Sequence, residues 1–370
     1  MPPPTPKTSE SYAGVKIAVG VLALVLVAAL VFRFLQHPDP IPGTGSDPRS
    51  TSEHDEQVRS GRARPADEAT AARAGAEEAQ NDSGYFARFG WGSGEGKLGK
   101  ERPDEANPEG PMSFAPLPGG GLAILDQVNG RVVLTDKNGK NAREIKVDLT
   151  AAQEIAVGKD GTLAVADRLV DKRVNVYDAN GKALGSLPLE GTKIKEGGGV
   201  SGLFVDGKNV YAENAHGILA LLGTTDGTAA TTQTDLFGRP SRDGTLLLSA
   251  GITNAQQGRA WVSAMTRAEN RALFTRELKE PVPLLTIVML DSDAQGIIYV
   301  AYTTEVGDNE ERMVLHCLSP KDGHILGSTE VAINAMPEET FREFSVADDG
   351  TVYHAEMTEQ GMSYRAIHCP

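Results

Sequence analysis

The fold is decided by a hairpin pattern that residues 160–181 show most clearly, DGTLAVADRLVDKRVNVYDANG. Two short apolar runs, residues 163–166 and 174–177, lie between the pairs Asp160-Gly161 and Asn180-Gly181. Glycine after Asp or Asn tolerates the positive φ of a tight hairpin turn and is the strongest short-range signal for one. The stretch therefore predicts antiparallel strands joined by short turns, with no helix between them.

The same turn pattern recurs along the rest of the chain, and the number of turns predicts the number of blades. Turns between the first and second strand of a blade are predicted near residues 119–121 and at Asp160, Asp206, Asp243, Gln295 and Asp349. Turns between the third and fourth strand are predicted at Asn138, Asn180, Asp226, residues 268–271 and Asp322. The spacing predicts an all-β domain, a six-bladed β-propeller over residues 84–370.

The last blade lacks a fourth strand, because the chain ends where its third strand, near residues 363–367, is finishing. Residues 84–89, YFARF after Gly84, lie at the other end of the domain and have strand composition. Pairing the two ends in one blade closes the ring and removes exposed sheet edges. We therefore predict that residues 84–89 complete the sixth blade.

The first blade resembles the NHL-repeat propellers. Residues 89–98, FGWGSGEGKL, resemble the Gly-rich lead-in of those repeats, residues 108–110 resemble their Pro-x-Gly, and residues 121–132, GLAILDQVNGRV, resemble their signature strand. The second blade keeps residues 161–167 and Arg173, and the later blades keep only the pattern. The resemblance implies a six-bladed ring that is used for binding more often than for catalysis.

An uncharged apolar run, residues 17–32, precedes the ring and is flanked by Lys16 and Arg33. As a helix it is roughly 24 Å long, slightly short of a ~30 Å hydrocarbon core, and the flanking side chains can snorkel. A cleaved signal peptide is the alternative, but no small-x-small cleavage site precedes Arg33. The run predicts a transmembrane helix over residues 16–35, with the lipid bilayer as its partner.

The charges around this run predict the topology. Lys7 and Lys16 precede it, whereas Arg33 alone follows closely, so residues 1–15 are predicted to be a cytoplasmic tail. Residues 36–83 are rich in Pro, Ser, Thr and charged residues and predict a disordered linker with a reach of roughly 40 Å. The expected location is the inner (cytoplasmic) membrane, single-pass, with the C-terminal propeller in the periplasm.

The overall charge and the two cysteines limit the partners and the covalent links. The net charge is −14, from 36 basic and 50 acidic residues, which argues against nucleic acid as a partner. Cys317 and Cys369 both follow a His at the end of a predicted third strand. If the two cysteines occupy equivalent positions in neighbouring blades, their side chains point the same way around the ring, so one faces the other blade and the other faces away from it. This argues against a disulfide, although a frayed strand end at the C-terminus would allow one.

Four carboxylates follow the second strands of different blades: Asp126, Asp167, Glu213 and Glu356. Converging at one rim they would form a divalent cation site. The favoured interpretation is that each accepts hydrogen bonds from its own blade, through local backbone donors or an arginine such as Arg131 or Arg173. His354 shares a strand face with Glu356, and a packed or exposed histidine is expected there rather than a metal ligand.

The sequence contains no nucleophile elbow, P-loop, H-E-x-x-H or C-x-x-C motif. No catalytic residue is therefore predicted, and the only cofactor class considered is the divalent cation. The expected function is a membrane-tethered scaffold that binds another protein or an envelope component. The alternative is a metal-dependent hydrolase or lyase resembling the propeller lactonases, with a cation in the central channel.

Overall fold

The computed structural model describes residues 84–307 and 310–369. Within these ranges, residues 141 and 142 are described by their backbone alone. The predicted N-terminal tail, transmembrane helix and linker, residues 1–83, lie outside this part of the chain. Within it, no helix has the length and apolar character needed to cross a bilayer.

The described residues form 25 β-strands. In chain order they are β1 Tyr85–Trp91, β2 Lys97–Leu98, β3 Ser113–Pro116, β4 Leu122–Asp126, β5 Arg131–Thr135, β6 Asn141–Lys146, β7 Glu154–Val157, β8 Leu163–Asp167, β9 Arg173–Tyr177, β10 Ala183–Pro188, β11 Val200–Asp206, β12 Asn209–Asn214, β13 Ile218–Thr224, β14 Asp235–Phe237, β15 Arg239–Pro240, β16 Leu246–Asn254, β17 Arg259–Thr266, β18 Arg271–Lys279, β19 Leu284–Ser292, β20 Ile298–Glu305, β21 Glu311–Leu318, β22 Ile325–Val331, β23 Phe344–Val346, β24 Val352–Thr358 and β25 Gly361–Ile367.

The strands form six sheets, which confirms the six-bladed β-propeller. Blades 1 to 5 are β3–β6, β7–β10, β11–β14, β15–β18 and β19–β22, and blade 6 has the order β2-β1-β25-β24-β23. The turns predicted from the glycine pairs lie between the strands for which they were predicted. The face with the turns between first and second strands is called the 1–2 face here, and the opposite face, with the turns between second and third strands, the 2–3 face.

The two ends of the propeller meet in blade 6, as predicted. β1 pairs antiparallel with β25, with Phe89 opposite Met362 and Gly90 opposite Gly361. Phe89 also packs edge-on against Tyr364, with ring centroids 6.2 Å apart. The N-terminal strand thus supplies the fourth strand that the C-terminal hairpin lacks.

The expectation against a disulfide was wrong, because Cys317 and Cys369 are bonded, with Cα atoms 6.1 Å apart. The ladders show why the register argument failed. Leu318 pairs with Ile298, whereas Ile367 pairs with Val352 at the equivalent position of blade 6. Cys317 therefore lies inside its strand, and Cys369 lies beyond the end of β25, where the chain has left the ladder.

The core lies between the blades. Five clusters of buried apolar side chains fill the spaces between blades 1 and 2, 2 and 3, 4 and 5, 5 and 6, and 6 and 1. Each cluster joins alternate residues of two facing sheets, as the period of two in the sequence requires. None of the five occupies the space between blades 3 and 4.

Candidate functional site

All four predicted carboxylates lie toward the 2–3 face, and all four accept hydrogen bonds within the ring. Asp126 is fully buried at the end of β4. It accepts hydrogen bonds from the Gly99 N–H (2.9 Å), from Asn129 Nδ2 (2.8 Å) and from Arg131 Nε (2.8 Å). Arg131 is therefore the partner that the sequence predicted for it.

Asp167 at the end of β8 is held by backbone donors alone. It accepts the N–H groups of Ala151 (2.8 Å), Leu169 (3.1 Å) and Val170 (2.8 Å). The suggestion that Arg173 would bind it was wrong, since that guanidinium donates to the C=O of Asp148 instead. The carboxylate caps the turn that follows its own strand.

Glu213 and Glu356 join elements that are distant in sequence. Glu213 in β12 accepts two hydrogen bonds from Arg239 of blade 4, at 2.7 and 2.8 Å. Glu356 in β24 accepts hydrogen bonds from Arg365 Nε (2.5 Å) and from the hydroxyl of Tyr85 (2.7 Å). Glu356 is thus bound within its own blade, as expected, and fastens β1 into blade 6. For Glu213 the expectation was incomplete, because Arg239 of blade 4 binds it in addition to Ser201 of its own blade and so fastens blade 3 to blade 4.

Burial alone would raise the pKa of Glu356, but the neighbouring His354, Arg365 and Tyr85 outweigh it and lower the pKa to about 2. His354 is fully buried and stacks on Phe344, with ring centroids 4.3 Å apart, so it is a packed histidine. Among the described residues, no group of three or more His, Cys, Asp or Glu side chains is placed to hold a metal ion. The divalent cation site at the four carboxylates stays a prediction.

The charged group that the sequence did not reveal is Glu154, the first residue of β7, in the central channel. Its side chain is buried and lies 3.0 Å from Arg342 Nε. Burial raises its pKa to about 7, and the charge of Arg342 offsets only part of that effect. Glu154 begins a strand that otherwise reads as an ordinary apolar run, and Arg342 lies in a connection between blades, so no local pattern pointed to either.

Phe204 lies between two guanidinium groups in the same channel. The Arg239 and Arg342 guanidinium carbons are 5.5 and 6.0 Å from its ring centroid. Arg342 also donates to the C=O of Leu203 at 3.2 Å, and Arg239 to the C=O of Leu290 at 3.0 Å. These charges are paired or hydrogen-bonded inside the ring, so this layer of the channel serves structure.

Above this layer a cavity of about 350 Å³ opens between blades 3, 4 and 5. Its lining includes Glu213, His216 and Gly217 of blade 3, residues 248–252 of β16, and residues 286–290 of β19. The lining is mixed, with aliphatic side chains on β16 and β19 and polar groups on blade 3. Such a concave site with a few polar groups is typical of ligand recognition.

Large apolar side chains are exposed on the same face, and two of them, Ile218 and Phe237, are chain neighbours of the cavity-lining residues Gly217 and Gly238. Leu169 and Val170, in the turn after β8 of blade 2, are 52% and 57% exposed. Ile218 and Phe237 of blade 3 are paired across β13 and β14 and are 41% and 62% exposed. These four side chains are called the apolar rim below. No sequence motif marks these residues, because the exposure of an apolar side chain depends on what the fold packs over it.

No protein-family model matches the chain, and no curated protein matches it. Solved structures that match include hydrazine synthase of Kuenenia stuttgartiensis, with a TM-score of 0.44, 17% identity, and coverage of 68% of this chain and 76% of that one. A streptogramin B lyase has a TM-score of 0.37 and 12% identity and covers 72% and 97% of the two chains. BamB from Moraxella catarrhalis has a TM-score of 0.37 and 12% identity and covers 72% and 98%. The six-bladed ring is established by the sheet topology, and these matches carry no argument about function.

Proposed function

We propose that this chain is a membrane-tethered extracytoplasmic scaffold whose propeller binds another protein or an envelope component on its 2–3 face. The observation that carries the proposal is the apolar rim on blades 2 and 3. Exposed apolar side chains grouped beside a cavity mark interaction sites more often than scattered ones do. The buried charges below the cavity are already paired with one another, which favours recognition over chemistry at this face.

Three features support the extracytoplasmic location. The disulfide between Cys317 and Cys369 is a bond that persists in oxidising compartments and is rare in the cytosol. The uncharged apolar run of residues 17–32 approaches the length of a membrane span, with Lys16 and Arg33 able to snorkel, and Lys7 and Lys16 precede it. The propeller would then face the periplasm, near the membrane.

The test is site-specific photocrosslinking in intact cells. A photoreactive side chain at Phe237 or Val170 is expected to form discrete adducts with one partner, identified by mass spectrometry. The matched control carries the same group at Asn138, which lies in an exposed turn between the third and fourth strands, on the 1–2 face. Absence of adducts at both rim positions, or the same adducts at Asn138, would contradict the proposed binding face.

A further inference from the structure

Blade 4 lacks the upper half of its innermost strand. β15 has two residues, Arg239–Pro240, whereas its neighbour β16 has nine, Leu246–Asn254. β15 pairs only with Leu247 and Leu248. Beyond Leu248, toward the 2–3 face, no strand of residues 84–307 or 310–369 pairs with the channel side of β16.

The direction of the free backbone groups follows from the lower end of β16. The N–H of Leu246 donates to Ser241 Oγ (2.8 Å), and its C=O accepts from the Ser241 N–H (2.9 Å), both on the channel side. Backbone groups alternate along a strand, so those of Ala250 and Ile252 point the same way. Among the described residues, no hydrogen bond from the channel side reaches the N–H or C=O of these two residues.

Blade 6 shows how this chain satisfies the same edge elsewhere. Its first strand, β23, is also short, with three residues beside the seven of β24. There the side chain of Asn334 donates to the C=O of Ala355 (2.8 Å) and accepts the N–H of Met357 (2.9 Å). An intrachain amide thus takes the place of the missing strand in blade 6, whereas in the part of the chain that the structure describes no side chain does the same for Ala250 and Ile252 of blade 4.

The space beside the open edge is the cavity on the 2–3 face. One wall is the upper part of β16, the second is β19, where Val288 is 37% exposed, and the third is blade 3 with Glu213 and His216. It also coincides with the one junction, between blades 3 and 4, that none of the five buried clusters fills. A missing strand accounts for both observations.

We infer that this slot receives an extended segment of a partner protein, which adds to blade 4 as the upper half of its first strand. An extended backbone offers donors and acceptors at the spacing that Ala250 and Ile252 present, and a side-chain ligand does not. Alternate side chains of the segment face β19, which calls for apolar residues there. The others face blade 3, where Glu213 is already paired with Arg239, and polar uncharged residues fit.

This inference rests on the proposed function, since it names what the partner inserts beside the apolar rim. The probe is a displayed library of random peptides of about eight residues, long enough to span residues 248–252 at about 3.3 Å per residue. It is selected on the intact chain in detergent. Selected peptides are expected to alternate apolar and polar residues.

The decisive variant is Ala250→Pro, which deletes one channel-facing N–H and spares the ladder to β17, where Ala250 makes no hydrogen bond. It is expected to weaken peptide binding at least about tenfold. The matched control Ala250→Ser keeps the N–H and is expected to bind as the unaltered chain does. N-methylation of alternate peptide amides is expected to abolish binding and that of the intervening amides to spare it, a readout that needs no protein variant.

If Ala250→Pro fails to fold, hydrogen exchange in the unaltered protein tests the same inference. The amides of Ala250 and Ile252 are expected to exchange rapidly in the free protein and at least about tenfold more slowly with peptide bound. The proposed strand addition by a partner segment would be overturned if N-methylation of the peptide did not change its binding. It would also be overturned if only a second copy of this chain protected the amides of Ala250 and Ile252. Photocrosslinks at Phe237 that persist unchanged in Ala250→Pro would overturn it too, yet leave the proposed function standing. Loss of all crosslinks in the unaltered chain contradicts both.

Discussion

At the scale of single residues, the buried acids divide into those that the ring holds charged and one that it holds near its titration point. Glu213 and Glu356 each accept several hydrogen bonds, which outweigh burial and lower their pKa values. Glu154 is paired directly with Arg342 and has almost no exposure, and burial dominates its pKa although the charges of Arg342 and Arg239 oppose it. The two groups should therefore give opposite dependences of stability on pH.

Glu154 is expected to make the propeller less stable as the pH rises. Its pKa moves from 4.5 to about 7 on folding, so the stability it contributes is fully present below pH 4.5 and is lost by about pH 7. The loss is on the order of 3 kcal/mol. Glu154→Gln cannot ionise and should flatten this slope in denaturant titrations between these two pH values.

Glu356→Gln is the matched control, because the pKa of Glu356 is lowered from 4.5 to about 2. Its stability is present above pH 4.5 and is lost as the pH falls toward 2, so that variant should change only the acidic limb. An identical slope between pH 4.5 and 7 in the unaltered protein and in Glu154→Gln would show that the buried acid does not titrate there.

Asp167→Asn replaces one carboxylate oxygen with an NH2 group, which cannot accept hydrogen bonds from the backbone N–H groups. The variant is expected to destabilise the propeller by about 1–3 kcal/mol. Asp178→Asn is the control, since the hydrogen bonds of Asp178 to the N–H groups of Asn180 and Lys182 are solvent-exposed. Denaturant titration gives the difference, and elemental analysis of the same samples gives the metal content, which is expected to be unchanged.

The same elemental analysis tests the channel cation that the sequence allowed. A divalent cation held stoichiometrically by the untagged propeller, and lost in the double variant of Asp126→Asn and Glu356→Gln while the fold persists, would favour the metal-dependent hydrolase or lyase over the scaffold.

At the scale of elements, several separate links join the two ends of the propeller. β1 comes from the N-terminal end of the propeller and pairs with β25 of blade 6. Packing of Phe89 and hydrogen bonds at Glu356 and Arg365 hold it in place. The disulfide then joins the last residues to blade 5. Each link can be removed separately.

Removing β1 should open the ring. Compared with a chain that begins at residue 84, one that begins at 100 loses β1 and β2 and leaves β25 as an exposed edge. It is expected to melt at lower temperature and to aggregate, as followed by calorimetry and light scattering. Equal melting temperatures for the two chains would mean that closure through β1 contributes nothing.

The disulfide should stabilise the propeller by about 2–4 kcal/mol, since it restricts the unfolded chain between blades 5 and 6. The double variant of Cys317→Ala and Cys369→Ala should therefore melt lower, and reductant should shift the unaltered protein toward it. Alkylation of the denatured, unreduced protein is expected to find no free thiol. Two alkylated thiols in protein isolated from cells would contradict the bond and remove its support for an oxidising compartment.

At the scale of the whole molecule, the proposed arrangement is a propeller on a tether. Protease added to spheroplasts is expected to cut within residues 36–83 and to release the propeller, because a chain without a packed core is cleaved first. A cytoplasmic protein serves as the control for intact spheroplasts. A propeller that stays protected, or one found free in the periplasm with residues 1–35 removed, would contradict the topology.

The sequence by itself determined the class of fold, the number of blades, the turns between first and second and between third and fourth strands, and the partner of the last hairpin. These are local properties, since a Gly after Asp at a turn and an apolar period of two act within a few residues. It also identified the four carboxylates and favoured their hydrogen-bonded role, because a turn-adjacent acid finds its backbone donors nearby.

Only the tertiary structure decided the features that depend on residues far apart in the chain. The disulfide formed because Cys369 lies beyond its ladder, Arg239 of blade 4 joined Ser201 of blade 3 in binding Glu213, and Glu154 met Arg342 across the channel. The open edge of β16 is of the same kind. Its sequence reads as an ordinary strand, and whether a strand has a partner on each side is set by where the rest of the chain passes.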